Sequence, residues 1–394
     1  MKGAFVFLNL IGLAAFLCMF GGGYLARTGY YFLAAFFIAS VVLFPKQAFS
    51  AYFSRDSILF YIFLLFVFIT GRLAFNFTAA QFIIFSFVLV EKFQITLLDT
   101  YPALRFKQVS FFKVQLLIIL FFCIAYILYV RFDPMAARRL VSTDKDDSIA
   151  IGGGFGMPYS LCLLIPYLIY LLKQKLSRPN KTIVLALLVL GIYLIIRSSF
   201  VIAMVVMMLG LSLAVLARFK PVYRVIGVVA ALLLIVPLYQ LLPSVVSSLN
   251  SASVIASRFE EMDMIFYEGD LSQASDLSVR LELAFSSLKA FFDNPFMGIG
   301  REVGYDYFDL FDAGIGGHCE WFDILGRYGL FALLLVYFLF KNRPVKTLGA
   351  KISFVVFLLI GFLNPLFIVQ IIIMIFYIIP MSDYLEEKTG FLSK

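Results

Sequence analysis

Histidine and tryptophan are nearly missing from this chain, each occurring once, as His318 and Trp321. Charge is scarce as well: Asp, Glu, Lys and Arg make up 14% of the 394 residues, where a soluble domain carries about 25%. With 62% apolar residues, that shortage excludes an ordinary water-soluble fold, because the excess has to face lipid. The long apolar runs lack polar–apolar alternation, which excludes a transmembrane β-barrel. Cysteine is too sparse for a disulfide framework. Cys18, Cys123 and Cys162 lie within apolar runs and only Cys319 lies outside one, so no extracytoplasmic pair is available to oxidise.

What the chain has instead is continuous apolar sequence. Segments able to cross a hydrocarbon core fall near residues 4–20, 29–45, 57–71, 73–90, 112–130, 150–171, 182–196, 198–217, 222–242, 326–340, 351–363 and 366–380. The last two are separated only by Asn364-Pro365. The expected fold is therefore all-α: a polytopic helical bundle of about 12 transmembrane helices, forming a single integral membrane domain over residues 1–394. A merged pair or a re-entrant segment would change that count by one or two.

The net charge of +8 tracks topology and does not call for a nucleic-acid partner. With the N-terminus cytoplasmic, the inner segments hold 20 of the 32 Lys and Arg, while 18 of the 24 Asp and Glu fall outside. By the positive-inside rule both termini are expected in the cytoplasm. Residues 4–20 follow Lys2 as a signal peptide would, but Gly21-Gly22-Gly23-Tyr24-Leu25-Ala26 offers a poor cleavage site.

Two outer connections are long, residues 131–149 and 243–325, and long loops in compact proteins carry function. Within the second, residues 276–293 have the pattern of an amphipathic helix with Leu277, Leu281, Ala284, Phe285, Leu288 and Phe292 on its apolar face. That face is expected against the bundle or at the lipid interface, and Asn294-Pro295 ends the helix. A tight turn follows at Phe296-Met297-Gly298-Ile299-Gly300, whose glycines let the backbone approach another segment closely. Gly316-Gly317-His318-Cys319-Glu320-Trp321-Phe322-Asp323 then leads into a span beginning near Leu325. A histidine with a carboxylate two residues on has the parts for proton transfer near neutral pH; the plainer reading is a polar loop anchored at the interface by Trp321 and Arg327. Arg197 stands at the outer junction of two spans, in Ile195-Ile196-Arg197-Ser198-Ser199-Phe200. It either snorkels to the interface or binds an anion, and a guanidinium matches phosphate oxygens without needing a metal. Asp306, Asp309 and Asp312 could hold a divalent ion, but their spacing fits a solvated face equally well.

Arg197-Ser-Ser-Phe opening a span, Arg280 followed by Asn294-Pro295-Phe-Met-Gly-Ile-Gly300, and His318 before Asp323-Ile-Leu-Gly-Arg-Tyr-Gly329 occur in that order. The pattern resembles the O-antigen polymerase and O-antigen ligase superfamily over about residues 180–340. The resemblance implies a GT-C-like membrane glycosyltransferase of the bacterial inner membrane, without metal or other cofactor, whose active site faces the periplasm and uses undecaprenyl-diphosphate-linked donor and acceptor. By family analogy Arg197 and Arg280 would hold the diphosphate and His318 would act as base, with Glu320 as second candidate. Arg301 and Tyr305 are further substrate-binding candidates. A chain-length regulator and a flippase are the implied protein partners. Cys319 and the stretch from Asp323 to Gly329 look more like polymerases than ligases, although the ligase and a capsule or exopolysaccharide polymerase share the motifs. A transporter would more often show internal repeats or interrupted helices, and neither is obvious here.

Overall fold

The computed structural model describes residues 1–69, 75–131, 156–198, 200–217, 275–299, 319–343 and 346–392. Among these residues every regular element is a helix. In chain order they are α1 (Lys2–Gly21), α2 (Gly23–Leu43), α3 (Pro45–Tyr52), α4 (Arg55–Ile69), α5 (Phe75–Thr100), α6 (Arg105–Val130), α7 (Gly156–Leu171), α8 (Arg178–Arg197) and α9 (Val201–Leu216). Then follow α10 (Ser275–Asp293), α11 (Glu320–Tyr328), α12 (Ala332–Lys341), α13 (Leu348–Leu363) and α14 (Val369–Thr389). Five of the described stretches are long and apolar enough to cross a membrane: α1, residues Pro102–Val130, α8, the joined α11–α12 stretch Glu320–Lys341, and α14. The bent pair α3–α4 would make a sixth, and shorter apolar helices include α7 and α13. All but one of the apolar segments expected from sequence coincide with a helix; the segment at 222–242 lies outside the described residues.

The helix ends follow local chemistry. Thr347 caps α13 by accepting from the Ala350 N–H at 3.2 Å. Asn364 ends that helix in an extended conformation before Pro365, which cannot continue it. Gly390, with φ +59°, closes α14 in the left-handed region that glycine enters without steric cost. One boundary departs from expectation. The apolar run expected at 73–90 continues as α5 to Thr100, carrying Glu91 and Lys92 inside the helix. Lys92 is tolerated there because it pairs with Asp56 of α4 and lies over the Phe338 ring.

Helix α14 is the hub of the bundle. Its apolar window is 83% buried, against 33% to 50% for the other four candidate spans, and it packs against α1, α5, α6, α7 and α13. Lipid cannot drive such apolar faces together, so packing and buried hydrogen bonds fix their register. Tyr377, in a π-helical turn of α14, donates to Gln94 Oε1 at 3.1 Å and accepts from Gln115 Nε2 at 2.9 Å. Gln108 Nε2 donates to the same Gln94 oxygen at 3.2 Å. One layer of amides and a phenol thus ties α5 and α6 to the central helix. Farther along α14, Gln370 donates to the Phe20 carbonyl of α1 at 3.2 Å.

The span from Glu320 to Lys341 has its two ends on opposite sides of this bundle. Near Lys341 lies a basic end, where Lys346 meets Glu387 and Arg105 meets Asp99. Near Glu320 lies the end that carries the candidate site.

Candidate functional site

The site is built where α10, the turn after it and α11 meet. Helix α10 begins at Ser275 and ends at Asp293, as the periodicity predicts. Leu283, Ser287 and Ala290 are buried, whereas Phe285 and Phe292 of the expected apolar face are 68% and 73% exposed. Small residues decide the outcome. A Cβ at Gly326 would lie 2.7 Å from the Ser287 carbonyl oxygen, so the helices approach to backbone contact only because Gly326 has none. Phe296 and Met297 of the following turn are exposed as well, and exposed aromatic side chains here fit the lipid-interface alternative.

The turn docks on the far end of α11. Gly298 adopts φ +65°, and the Ile299 N–H donates to the Gly326 carbonyl at 3.0 Å. From the other side, the Leu330 N–H donates to the Pro295 carbonyl at 2.8 Å. Gly329, at φ +58°, sits where a Cβ would lie 2.6 Å from the Phe296 carbonyl group. The close approach expected of the Phe296–Gly300 turn is therefore to Gly326–Leu330. Two segments quoted separately in the sequence form one backbone-paired unit.

Helix α11 starts at Glu320, five residues before the expected boundary. Glu320 and Asp323 occupy its first turn and Arg327 its last, the arrangement that the helix dipole favours. Both carboxylates are buried, at 4% and 3% exposure. Burying a carboxylate is costly unless donors replace its water. Glu320 Oε2 accepts from the Leu366 N–H at 2.9 Å and more weakly from the Phe367 N–H at 3.5 Å. Asp323 Oδ1 accepts from Ser287 Oγ at 2.7 Å. Glu320 thus ties α11 to the segment between α13 and α14, while Asp323 ties it to α10.

Trp321 does not serve as an interfacial anchor. It is buried, its indole N–H donates to the Leu358 carbonyl at 2.8 Å, and its ring lies edge-on to Phe357 and Phe367. Gly361 makes room, since a Cβ there would meet the indole at 2.6 Å. Burial pushes the Cys319 thiol up to about 11, which disfavours the thiolate.

Arg197 is the last residue of α8, beside the short junction to α9, and its guanidinium donates to the Arg131 carbonyl at 3.0 Å. A chain of contacts links this junction to Glu320: the Phe200 and Tyr159 rings lie 6.5 Å apart, Asn364 Nδ2 donates to the Tyr159 hydroxyl at 3.0 Å, and Leu366 donates to Glu320. The α8–α9 junction and Glu320 therefore share one end of the bundle. Arg280 lies on the backbone of α10. His318, Arg301, Tyr305, Asp306, Asp309 and Asp312 lie outside the described residues. Among the described residues, no group of three His, Cys, Asp or Glu converges as metal ligands would.

Sequence reasoning passed over Ser287, Tyr159 and Asn364. Asn364-Pro365 marked only a break between spans, yet Asn364 is a buried polar side chain holding α13 to α7. Its signal was the polar residue itself, because an amide between two apolar spans needs a partner. No protein-family model matches this chain, and no curated protein sequence matches it either.

Proposed function

We propose that this protein is an O-antigen-type polysaccharide polymerase, a multi-pass glycosyltransferase of the bacterial inner membrane that transfers a growing glycan from undecaprenyl diphosphate to a lipid-linked repeat unit. The observation that carries this reading is the docking of the Asn294–Ile299 turn on Gly326–Leu330. It joins the Arg280-bearing helix α10 to the Asp323–Gly329 segment, two of the three motifs of the resemblance, while Arg197 stands at the α8–α9 junction. In this reading about twelve spans form a GT-C-like bundle with both termini cytoplasmic, and the loop around residues 243–325 faces the periplasm.

No nucleotide sugar is available at that face, so the driving force lies in the departure of a lipid diphosphate. Arg197 and Arg280 would neutralise the charge that develops as the bond to the anomeric carbon breaks. His318, or Glu320 in its place, would accept the proton of the attacking hydroxyl. Activity is expected without a divalent ion; dependence on added magnesium would favour Asp306, Asp309 and Asp312 as ligands. Arg280→Lys keeps the charge but loses the planar fork, and should impair turnover by about 1–3 kcal/mol. Arg197→Ala should be worse.

A strain lacking the protein tests the assignment directly. Lipid A core capped with a single repeat unit is the expected profile. Uncapped core with accumulating lipid-linked polymer would make the protein a ligase, and lipid-linked units held in the cytoplasmic leaflet would make it a flippase. Cysteine labelling tests the sidedness: positions 175 and 346 should be cytoplasmic, and positions 272 and 309 periplasmic. Protection of the last two in intact cells would overturn the outward-facing site.

A further inference from the structure

A groove of about 520 Å³ opens on the side of the bundle, remote from Glu320 and toward the basic end. Phe37, Val41 and Val42 of α2 form one wall, Tyr61 of α4 and Leu89 of α5 the other, and Phe53 lies where α3 turns into α4. The α3–α4 break bends by 66°, so the short helix runs across the foot of the groove instead of extending its wall. The surface is almost wholly apolar, and Val42 and Phe53 are 71% and 56% exposed. Beside a membrane such a concavity takes a hydrocarbon chain, because its exposed lining is almost wholly apolar; of the hydroxyls of Tyr52, Tyr61 and Ser86 that border it, that of Tyr52 is already bonded to Ser40.

The charges at its foot specify the headgroup. Lys46, in the first turn of α3, and Arg55, which opens α4, are both exposed. Neither makes an ion pair with a described residue. The carboxylate that could have neutralised them, Asp56, is already occupied by Lys92. Two uncompensated cations therefore stand within a few residues of the groove lining. A lipid phosphate therefore finds a cation beside either end of α3, and a guanidinium can hold two phosphate oxygens at once.

We propose that this groove is a binding site for an anionic glycerophospholipid, with one acyl chain between α2 and α4–α5 and the headgroup phosphate against Lys46 and Arg55. The site is independent of the proposed transfer reaction. It places a lipid at the joint that sets the angle between α3 and α4.

The test uses the full chain purified in mild detergent and reads retained lipid by native mass spectrometry. Phosphatidylglycerol should be retained in preference to phosphatidylcholine, and Lys46→Gln and Arg55→Gln should each reduce that preference about five-fold. Val42→Trp, which fills the groove, should abolish retention of both lipids. A phosphatidylglycerol bearing a photoreactive acyl chain should label wild-type peptides containing Phe37 and Tyr61, a readout that needs no variant to fold. Equal retention of both lipids, labelling spread evenly over the lipid-facing helices, or a groove covered by a second copy of the chain would each overturn the proposal.

Discussion

Among the described residues, carboxylates at the basic end of the bundle meet side chains in clusters; at the opposite end Glu320 holds backbone N–H groups and Asp323 a serine hydroxyl. Near Lys346, Asp383 accepts from the Tyr167 hydroxyl at 2.7 Å and from Thr347, Asp99 meets Arg105 and Tyr384, and Glu387 lies between Lys346 and Lys388. Near Glu320, one carboxylate accepts from the Leu366 and Phe367 N–H groups and the other from Ser287. Among the described residues Glu320 makes no ion pair. The first arrangement distributes stability over several replaceable contacts. The second commits two buried carboxylates to positioning three segments.

If the Glu320 end performs chemistry while the basic end only stabilises, substitutions at the two ends should separate turnover from folding. The largest effect is expected at the start of α11. His318→Ala should leave donor affinity nearly unchanged and lower single-turnover transfer by about 10²–10⁴-fold, the contribution of a general base. Glu320→Gln retains an oxygen that accepts from the Leu366 N–H, so the fold should persist while any proton-transfer role is lost. Full transfer in His318→Ala with loss in Glu320→Gln would assign the base to Glu320. Retention of transfer in both would break the comparison, leaving the two ends alike.

Next in size is the backbone contact between α10 and α11. Gly326→Val forces a side chain against the Ser287 carbonyl and should cost about 3 kcal/mol by overpacking. Gly3→Val has nothing within 4 Å of the added carbon and is the control. Thermal unfolding of the purified proteins decides it: a Gly326→Val midpoint equal to that of Gly3→Val would mean that the two helices part without loss.

How much of this was legible in the sequence differs with the kind of residue. Long apolar runs made α1, α8 and α14 readable, since length and hydropathy alone identify a span. The glycines of the turn after α10 announced a close approach, and only its partner was missing. Face and depth were harder. The periodicity of α10 left its apolar face between the bundle and the lipid interface, because pattern alone does not tell core from lipid; Phe285 and Phe292 are exposed while Ser287 and Ala290 are buried. The plainer reading of its segment made Trp321 an interfacial anchor, but the space left by Gly361, forty residues on, takes its indole inside. Glu91 and Lys92 marked the end of a span because Asp56, the partner of Lys92, is 36 residues away. Pairings of that range leave no trace in local periodicity.

A smaller effect is expected from Asp383. Asp383→Asn keeps the volume but replaces an acceptor of hydroxyl protons by an amide, weakening the bonds from Tyr167 and Thr347. The loss should be about 1–3 kcal/mol of stability, with transfer per folded molecule unchanged. A reduced turnover in protein of normal stability would show that the two ends are coupled through α13, because Thr347 also caps that helix and its far end abuts the segment held by Glu320.

The smallest effect separates two contributions within the basic end itself. Glu387 accepts from Lys346 and Lys388, each at 2.9 Å, but all three side chains are between 36% and 52% exposed. Water and salt screen such pairs, so Glu387→Gln should cost no more than about 1 kcal/mol, and 1 M salt should erase most of the difference from wild type. Lys346 has a second role, because its ammonium lies 5.6 Å from the centre of the Tyr384 ring. Lys346→Gln loses that cation–π contact as well as the ion pair and should cost about 0.5–1 kcal/mol more. Denaturant midpoints of the two variants at low and high salt measure the gap. If the gap closes in 1 M salt, the ring contributes nothing and Lys346 acts through charge alone; if it persists, the ammonium packs against Tyr384 as part of the fold, and that end of the bundle is held by more than exchangeable surface pairs.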